Sequence, residues 1–108
     1  MARVFVDARN VLRSRWPNLA EEELVELAEA WAERHGHELV LVFDGKAPAG
    51  AIGSGGESAD DWLIREVPKH PGAWLVTSDR ALRSAAGGQA ARLIGGGAFL
   101  GGLGELEK

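Results

Sequence analysis

The sequence predicts an α/β fold with a mainly parallel central sheet of four to five strands. Three observations carry that prediction. Short apolar runs alternate with amphipathic or capped segments in the order β-α-β-α-β-α-β, the pattern of parallel strands joined by right-handed crossovers. The run at residues 39–43, Leu-Val-Leu-Val-Phe, is apolar throughout rather than alternating, as in a strand covered on both faces. Three of the apolar runs lead directly into an acid: Asp7, Asp44 and Asp79.

Each element follows from local chemistry. Residues 3–6 are a buried strand ending at Asp7. Residues 7–17, DARNVLRSRWP, form an Arg-rich loop or short helical turn. The clearest helix spans 18–35, where Leu24, Leu27, Ala28 and Trp31 recur at three and four residues. Asn18 and Glu21 have capping-box spacing, and Gly36 supplies a stop. The second strand is 39–43. Residues 45–57, GKAPAGAIGSGGE, are long for a plain connection and read as a functional or mobile loop. Ser58 caps a helix over 58–67, and 73–77 is a third strand. A helix over 79–86 is capped by Ser78 and closed by Gly87 and Gly88, and 91–94 is a weaker fourth strand. The Gly-rich residues 95–108 form either a poorly ordered tail or a frayed helix over 99–106.

Length and composition bound the function. The 108 residues make one domain, 1–108, with no room for a second core. A 45% hydrophobic content excludes a wholly disordered chain. The absence of Cys excludes disulfide frameworks, thiolate zinc sites and Cys nucleophiles. No stretch approaches the roughly 20 apolar residues of a membrane span, and an acid at position 7 does not suit a signal peptide, so a cytoplasmic protein is expected. The net charge of −4 excludes a nucleic-acid binder that works by bulk attraction. That charge is uneven. Residues 1–17 carry four Arg and one Asp, whereas residues 18–38 carry seven Glu and one Arg, so the acidity sits mainly on the first long helix.

The five Asp are the informative acids. Asp7, Asp44 and Asp79 end strands, and Asp60 and Asp61 open the helix after the long loop. In a parallel sheet these positions share the carboxyl-end rim, where ligand sites of open α/β folds form. Asp is also favoured at strand ends and caps for structural reasons alone. A rim of five, however, repels itself unless a cation neutralises it, and hard oxygen ligands suit Mg²⁺ or Mn²⁺.

Four segments resemble the NYN domains of the PIN-like nuclease superfamily, the bacterial YacP-like group in particular: DARN at 7–10, VFDG at 42–45, ESADDWLI at 57–64 and TSDRAL at 77–82. The resemblance covers most of the chain. It implies a PIN-like, Rossmann-like three-layer sandwich and metal-dependent endoribonuclease activity on single-stranded RNA. By resemblance, Asp7 matches the first-strand metal aspartate and Asn10 the polar residue that braces it. Asp60 matches the acid at the start of the central helix, and Asp79 the acid after the third core strand. Asp44 matches an acid of many NYN members, and Asp61, without a firm counterpart, joins it as an auxiliary metal ligand. The implied cofactor is Mg²⁺ or Mn²⁺ and the implied partner is RNA. A homodimer is also an expectation of the resemblance, and a ribosome or other protein that presents the substrate is left open.

Around these acids, Arg9, Arg13, Arg80 and Lys46 are candidate phosphate contacts, each with a solvated-surface alternative. Trp16 and Trp74 could each stack on a base, Trp16 being the better candidate because Trp74 begins a strand and so favours packing, whereas Trp31 and Trp62 belong to the core. The three His show no metal spacing, and GSGGES at 53–58 lacks the Lys-Ser/Thr of a phosphate loop. Two alternatives stand beside the nuclease. One is a catalytically degenerate PIN-like module that binds RNA or protein, motivated by the short C-terminal part. The other is a different Mg²⁺-dependent phosphohydrolase on a Rossmann-like sheet. Against it, VDARN lacks both the adjacent acids of a receiver domain and the Asp-x-Asp of a haloacid-dehalogenase phosphatase, since Arg9 holds the second position.

Overall fold

The chain forms a five-stranded sheet with every strand parallel, in the order β3-β2-β1-β4-β5. The structure, a computed structural model, describes residues 1–15 and 17–104. The elements are β1 (Arg3–Asp7), α1 (Ala8–Arg13), α2 (Glu21–His35), β2 (Glu38–Phe43), β3 (Ile52–Gly53), α3 (Ala59–Glu66), β4 (Trp74–Val76), α4 (Arg80–Ala86), β5 (Arg92–Ile94) and α5 (Gly96–Gly104). Among the described residues, no helix is long and apolar enough to cross a membrane.

Side-chain alternation along the strands divides the core into two layers. Val4 and Val6 of β1, with Leu41, Phe43 and Val76, pack against α1, α2 and α5. Phe5, Val42 and Leu75 face the other way, against α3 and α4. Asp7 follows Phe5 at a spacing of two and so points to the α3/α4 side. Both faces of the central strands are covered, which is why those strands are apolar throughout.

The structure refines the sequence expectations at several places. The 7–17 segment contains a true helix, α1, whose Val11 and Leu12 are buried. The long loop contains β3, a two-residue exposed edge strand paired with Val42 and Phe43. The expected Asn18 cap is corrected: α2 starts at Glu21, with Ala20 in the cap position and no side-chain bond. The Asn18 side-chain amide instead lies 2.8 and 2.7 Å from the carbonyls of Leu12 and Arg15, groups to which only its nitrogen can donate. The free carbonyls at the end of α1 thus claim the side chain that would have capped α2. The stop at Gly36 is as expected, with φ 69°, the left-handed conformation that favours glycine. The Ser78 cap is corrected too, since Asp79 caps α4 by accepting from the Leu82 N–H at 3.0 Å.

The Gly-rich C-terminal segment is the largest gain over the sequence. Residues 96–104 form α5, with Phe99, Leu100 and Leu103 buried against α1 and α2. Residues 105–108, which include the end of the expected 99–106 helix, lie outside the described residues. Because Leu103 is fully buried, Leu103→Ala is expected to cost about 2–5 kcal/mol of folding free energy. Urea denaturation of the two proteins measures it, and a loss below about 1 kcal/mol would show that α5 is not part of the cooperative core.

Candidate functional site

The parallel register brings the ends of β1, β2 and β4 to one rim, and the chain uses that rim for acids. Asp7 ends β1 and is 4% exposed. Its carboxylate accepts a hydrogen bond from the Thr77 hydroxyl, 3.1 Å from Oδ2, and Thr77 is itself fully buried. The same Thr77 oxygen accepts from the Asp79 N–H at 3.1 Å. One hydroxyl thus joins the first and third acidic strand ends. Thr77 was missed at the sequence level; the available signal was a small hydroxyl two residues before an acid at a strand end.

Burial pushes the Asp7 carboxyl up to about 6. The Thr77 hydroxyl and the Asn10 backbone N–H favour its charged form, while the nearby charges of Asp60 and Asp44 raise it further. Asp60, half-buried in the first turn of α3, is also pushed up, first by burial and then by Asp79, Asp44 and Asp61. Asp7, Asp44, Asp60 and Asp79 therefore share one electrostatic environment. Asp61 is exposed beside them on α3.

The remaining sequence candidates divide sharply. Asp44 has both carboxylate oxygens engaged: Oδ1 accepts from the Ala59 N–H at 2.8 Å, and Oδ2 faces Arg9 Nε at 3.5 Å. It fastens the end of β2 to the start of α3. Asn10 does not bond the Asp7 carboxylate through its side chain; its Oδ1 accepts from the Ser78 N–H at 2.8 Å. Ser78 Oγ in turn accepts from the Gly96 N–H at 2.8 Å. That chain ties α1, the β4–α4 turn and α5 together, and it requires glycine at 96, where a Cβ would lie 2.8 Å from Asn10 Oδ1.

Among the basic candidates, Arg13 is exposed and close enough to Asp60 to pull its carboxyl downward. Arg13 also lines a cavity of about 420 Å³ with Asn10, Ser14, Ser78 and Gly97, beside the acids. Arg80 and Lys46 are exposed on the same rim. Trp16 lies outside the described residues. Ser54, buried in the long loop, went unnoticed in the sequence. Its Oγ accepts from the Gly45 N–H at 3.0 Å and donates to the Glu57 carbonyl at 2.6 Å, which shapes the approach to Asp44 and α3.

Among the described residues, no three His, Asp or Glu side chains converge at metal-ligand spacing. The arrangement is a loose carboxylate rim around one buried, electrostatically stressed aspartate, not a closed cage.

This all-parallel sheet, flanked by helices on both faces and carrying acids at the ends of β1, β2 and β4, has the YacP-like NYN/PIN-like fold. Two solved structures of Rae1 (YacP) from Bacillus subtilis share it. The W164L mutant matches with a TM-score of 0.80 and 20% identity, over 99% of this chain and 77% of that one. A second Rae1 structure matches with a TM-score of 0.76 and 18% identity, over 99% and 76%. No protein-family model and no curated protein sequence matches the chain.

The raised Asp7 carboxyl has a consequence for stability. Below about pH 4 the group is protonated in both folded and unfolded chains and costs nothing. As pH rises through about 6, the unfolded chain gives up its proton more readily, so folding loses stability. A shift of this size corresponds to about 3 kcal/mol at neutral pH. Asp7→Asn keeps an acceptor for Thr77 without the charge. It is expected to raise the thermal midpoint at pH 7.5, with the gain vanishing near pH 4. Equal midpoints for both proteins at pH 7.5 would show that Asp7 carries no such burden.

Proposed function

We propose that this protein is a divalent-metal-dependent endoribonuclease that hydrolyses phosphodiester bonds of single-stranded RNA. The observation that carries this reading is the gathering of Asp7, Asp44, Asp60 and Asp79 on one rim, with Asp7 buried among like charges. The PIN-like, nuclease-type fold supports it.

The donor set fits Mg²⁺ or Mn²⁺: carboxylate oxygens, with no Cys in the chain. Mg²⁺ commonly takes one or two carboxylates and completes its shell with water and substrate phosphate, so a closed protein cage is not required. When bound, such an ion neutralises phosphate charge and activates a water for in-line attack. Asp7, Asp60 and Asp79 are the residues that would hold it. Asp44 and Asp61 add negative field, with Asp44 mainly positioning α3. Thr77 holds Asp7 in one orientation, and Asn10 holds the turn that presents Asp79. Arg13, at the cavity beside the acids, is the best-placed side chain to meet a substrate phosphate, with Arg9, Arg80 and Lys46 around it. Products would carry 5′-phosphate and 3′-hydroxyl ends.

One observation favours a second reading, a PIN-like module that binds RNA without cutting it: the absence of three converging ligands among the described residues. A single experiment separates the two. With Mn²⁺, the protein is expected to cut a single-stranded oligoribonucleotide, and Asp7→Asn and Asp79→Asn each to slow cleavage more than about a hundredfold. Asn remains a good N-cap, so Asp79→Asn leaves α4 intact. Mn²⁺ is also expected to raise the thermal midpoint of the native protein and not that of Asp7→Asn. Cleavage unchanged in both variants would overturn the assignment. RNA binding without cleavage and without a Mn²⁺ shift would favour the binding module.

A further inference from the structure

A second cavity lies at the opposite end of the sheet, at the amino-terminal ends of β4 and β5. It has a volume of about 350 Å³ and is walled by Trp31, His37, Trp74, Arg92 and Phe99, with His35 at its edge. Trp31 meets Phe99 edge-on at 5.0 Å between ring centres, and His37 packs on Trp74 at 4.5 Å. The Arg92 guanidinium lies over the Trp74 ring at 4.7 Å. The sequence favours packing for Trp31 and, over base stacking, for Trp74, but both are only partly buried and both line this cavity.

The charge of this cavity is opposite to that of the rim. No acid lines it. The charged groups that act on His37 are the chain's amino terminus, His35 and Arg92, all of them cationic when charged. Burial first, and then these charges, hold its imidazole below the ordinary range. In a chain of net charge −4, a cavity whose described lining is aromatic and basic is locally distinct. Flat π surfaces stack on bases with little regard to sequence, and an arginine beside them adds cation–π and phosphate contacts. A fully apolar ligand would leave Arg92 unused, and a simple anion would leave the rings unused.

From this geometry we infer that the Trp31–Trp74–Arg92 cavity is a nucleotide-binding site, taking one base and its phosphate from a single-stranded RNA whose scissile bond lies at the acidic rim. The inference rests on the nuclease reading for its substrate and not for its existence. The helix α5 links the two ends: Gly97 borders the cavity beside the acids, and Ala98 and Gly102 border this one. RNA lying along α5 would therefore be gripped by base stacking at one end and presented to the acids at the other.

The test uses the four Trp indole N–H signals in an NMR titration of the full chain with AMP, and then with a 2′-O-methyl oligoadenylate that resists cleavage. Trp62, in the other core layer, serves as the internal control. AMP is expected to move the Trp31 and Trp74 signals and leave Trp62 in place. Arg92→Ala, at an exposed position that leaves the fold intact, is expected to weaken both ligands about tenfold, with Arg92→Lys between the two. Unmoved Trp31 and Trp74 signals, or equal affinity in Arg92→Ala, would overturn the site. AMP binding by a protein that cuts no RNA would keep the site and discard the nuclease. RNA cleavage with unmoved indoles would do the reverse.

Discussion

The Thr77 hydroxyl has one proton to donate, and it gives that proton to Asp7 while accepting from the backbone of Asp79. Both strand ends are fixed by that single group. With the hydroxyl in this orientation the Asp7 carboxylate has a partner in a place that water scarcely reaches, and Asp79 is aligned to cap α4. The Asn10–Ser78–Gly96 chain runs beside it and ties α1 and α5 to the same turn. The acidic rim is thus braced by neutral donors. The ion pair between Arg9 and Asp44 on it, at 3.5 Å, is partly exposed, and pairs of that kind contribute little. Such bracing leaves the negative charge of the rim uncancelled, which is the condition for attracting a cation.

Net charge alone misleads for this molecule. Much of the acid belongs to α2, whose Glu side chains are mostly exposed and leave both ends of the sheet alone. The rim is negative, whereas the cavity at the amino end of the sheet has Arg92 and no acid among its described lining residues. On the proposed reading, a phosphate-bearing ligand would meet the rim through a cation and the far end through Arg92. The two ends are therefore complementary, and α5 spans the distance between them.

Much of this was legible in the sequence. β1 and β2 announce themselves because double burial demands unbroken apolar runs, and a parallel sheet then forces Asp7, Asp44 and Asp79 onto one edge. What escaped has physical causes. β3 is two exposed residues in a Gly-rich loop, too short to leave a period. α5 is made largely of glycine, which opposes helix by propensity, and only its burial against α1 and α2 overrides that. Asn18 and Ser78 both looked like caps, yet tertiary partners claimed them: the carbonyls of α1 in one case and the Gly96 N–H in the other. Thr77 gave no periodic signal, since its role depends on strand pairing between residues 70 positions apart.

The energetics of Asp7 bear on why an acid stands there at all. A domain of this size is stable by roughly 5–15 kcal/mol, and a buried carboxylate displaced to about 6 removes about 3 kcal/mol of that at neutral pH. Asparagine would accept the same Thr77 hydrogen bond without the charge, so the fold by itself prefers the neutral side chain. A buried carboxylate with the charges of Asp60 and Asp44 close by is a structural cost without a structural return. The cost is recovered only if something positive binds at the rim, and the binding energy of that cation then adds to the stability of the folded chain. The same reasoning separates Asp7 from Asp44, whose two oxygens are already satisfied by the Ala59 N–H and Arg9 and whose presence the fold explains. The buried aspartate at the end of β1 is therefore the strongest sign of function in the rim, and the other acids matter by how they share its field.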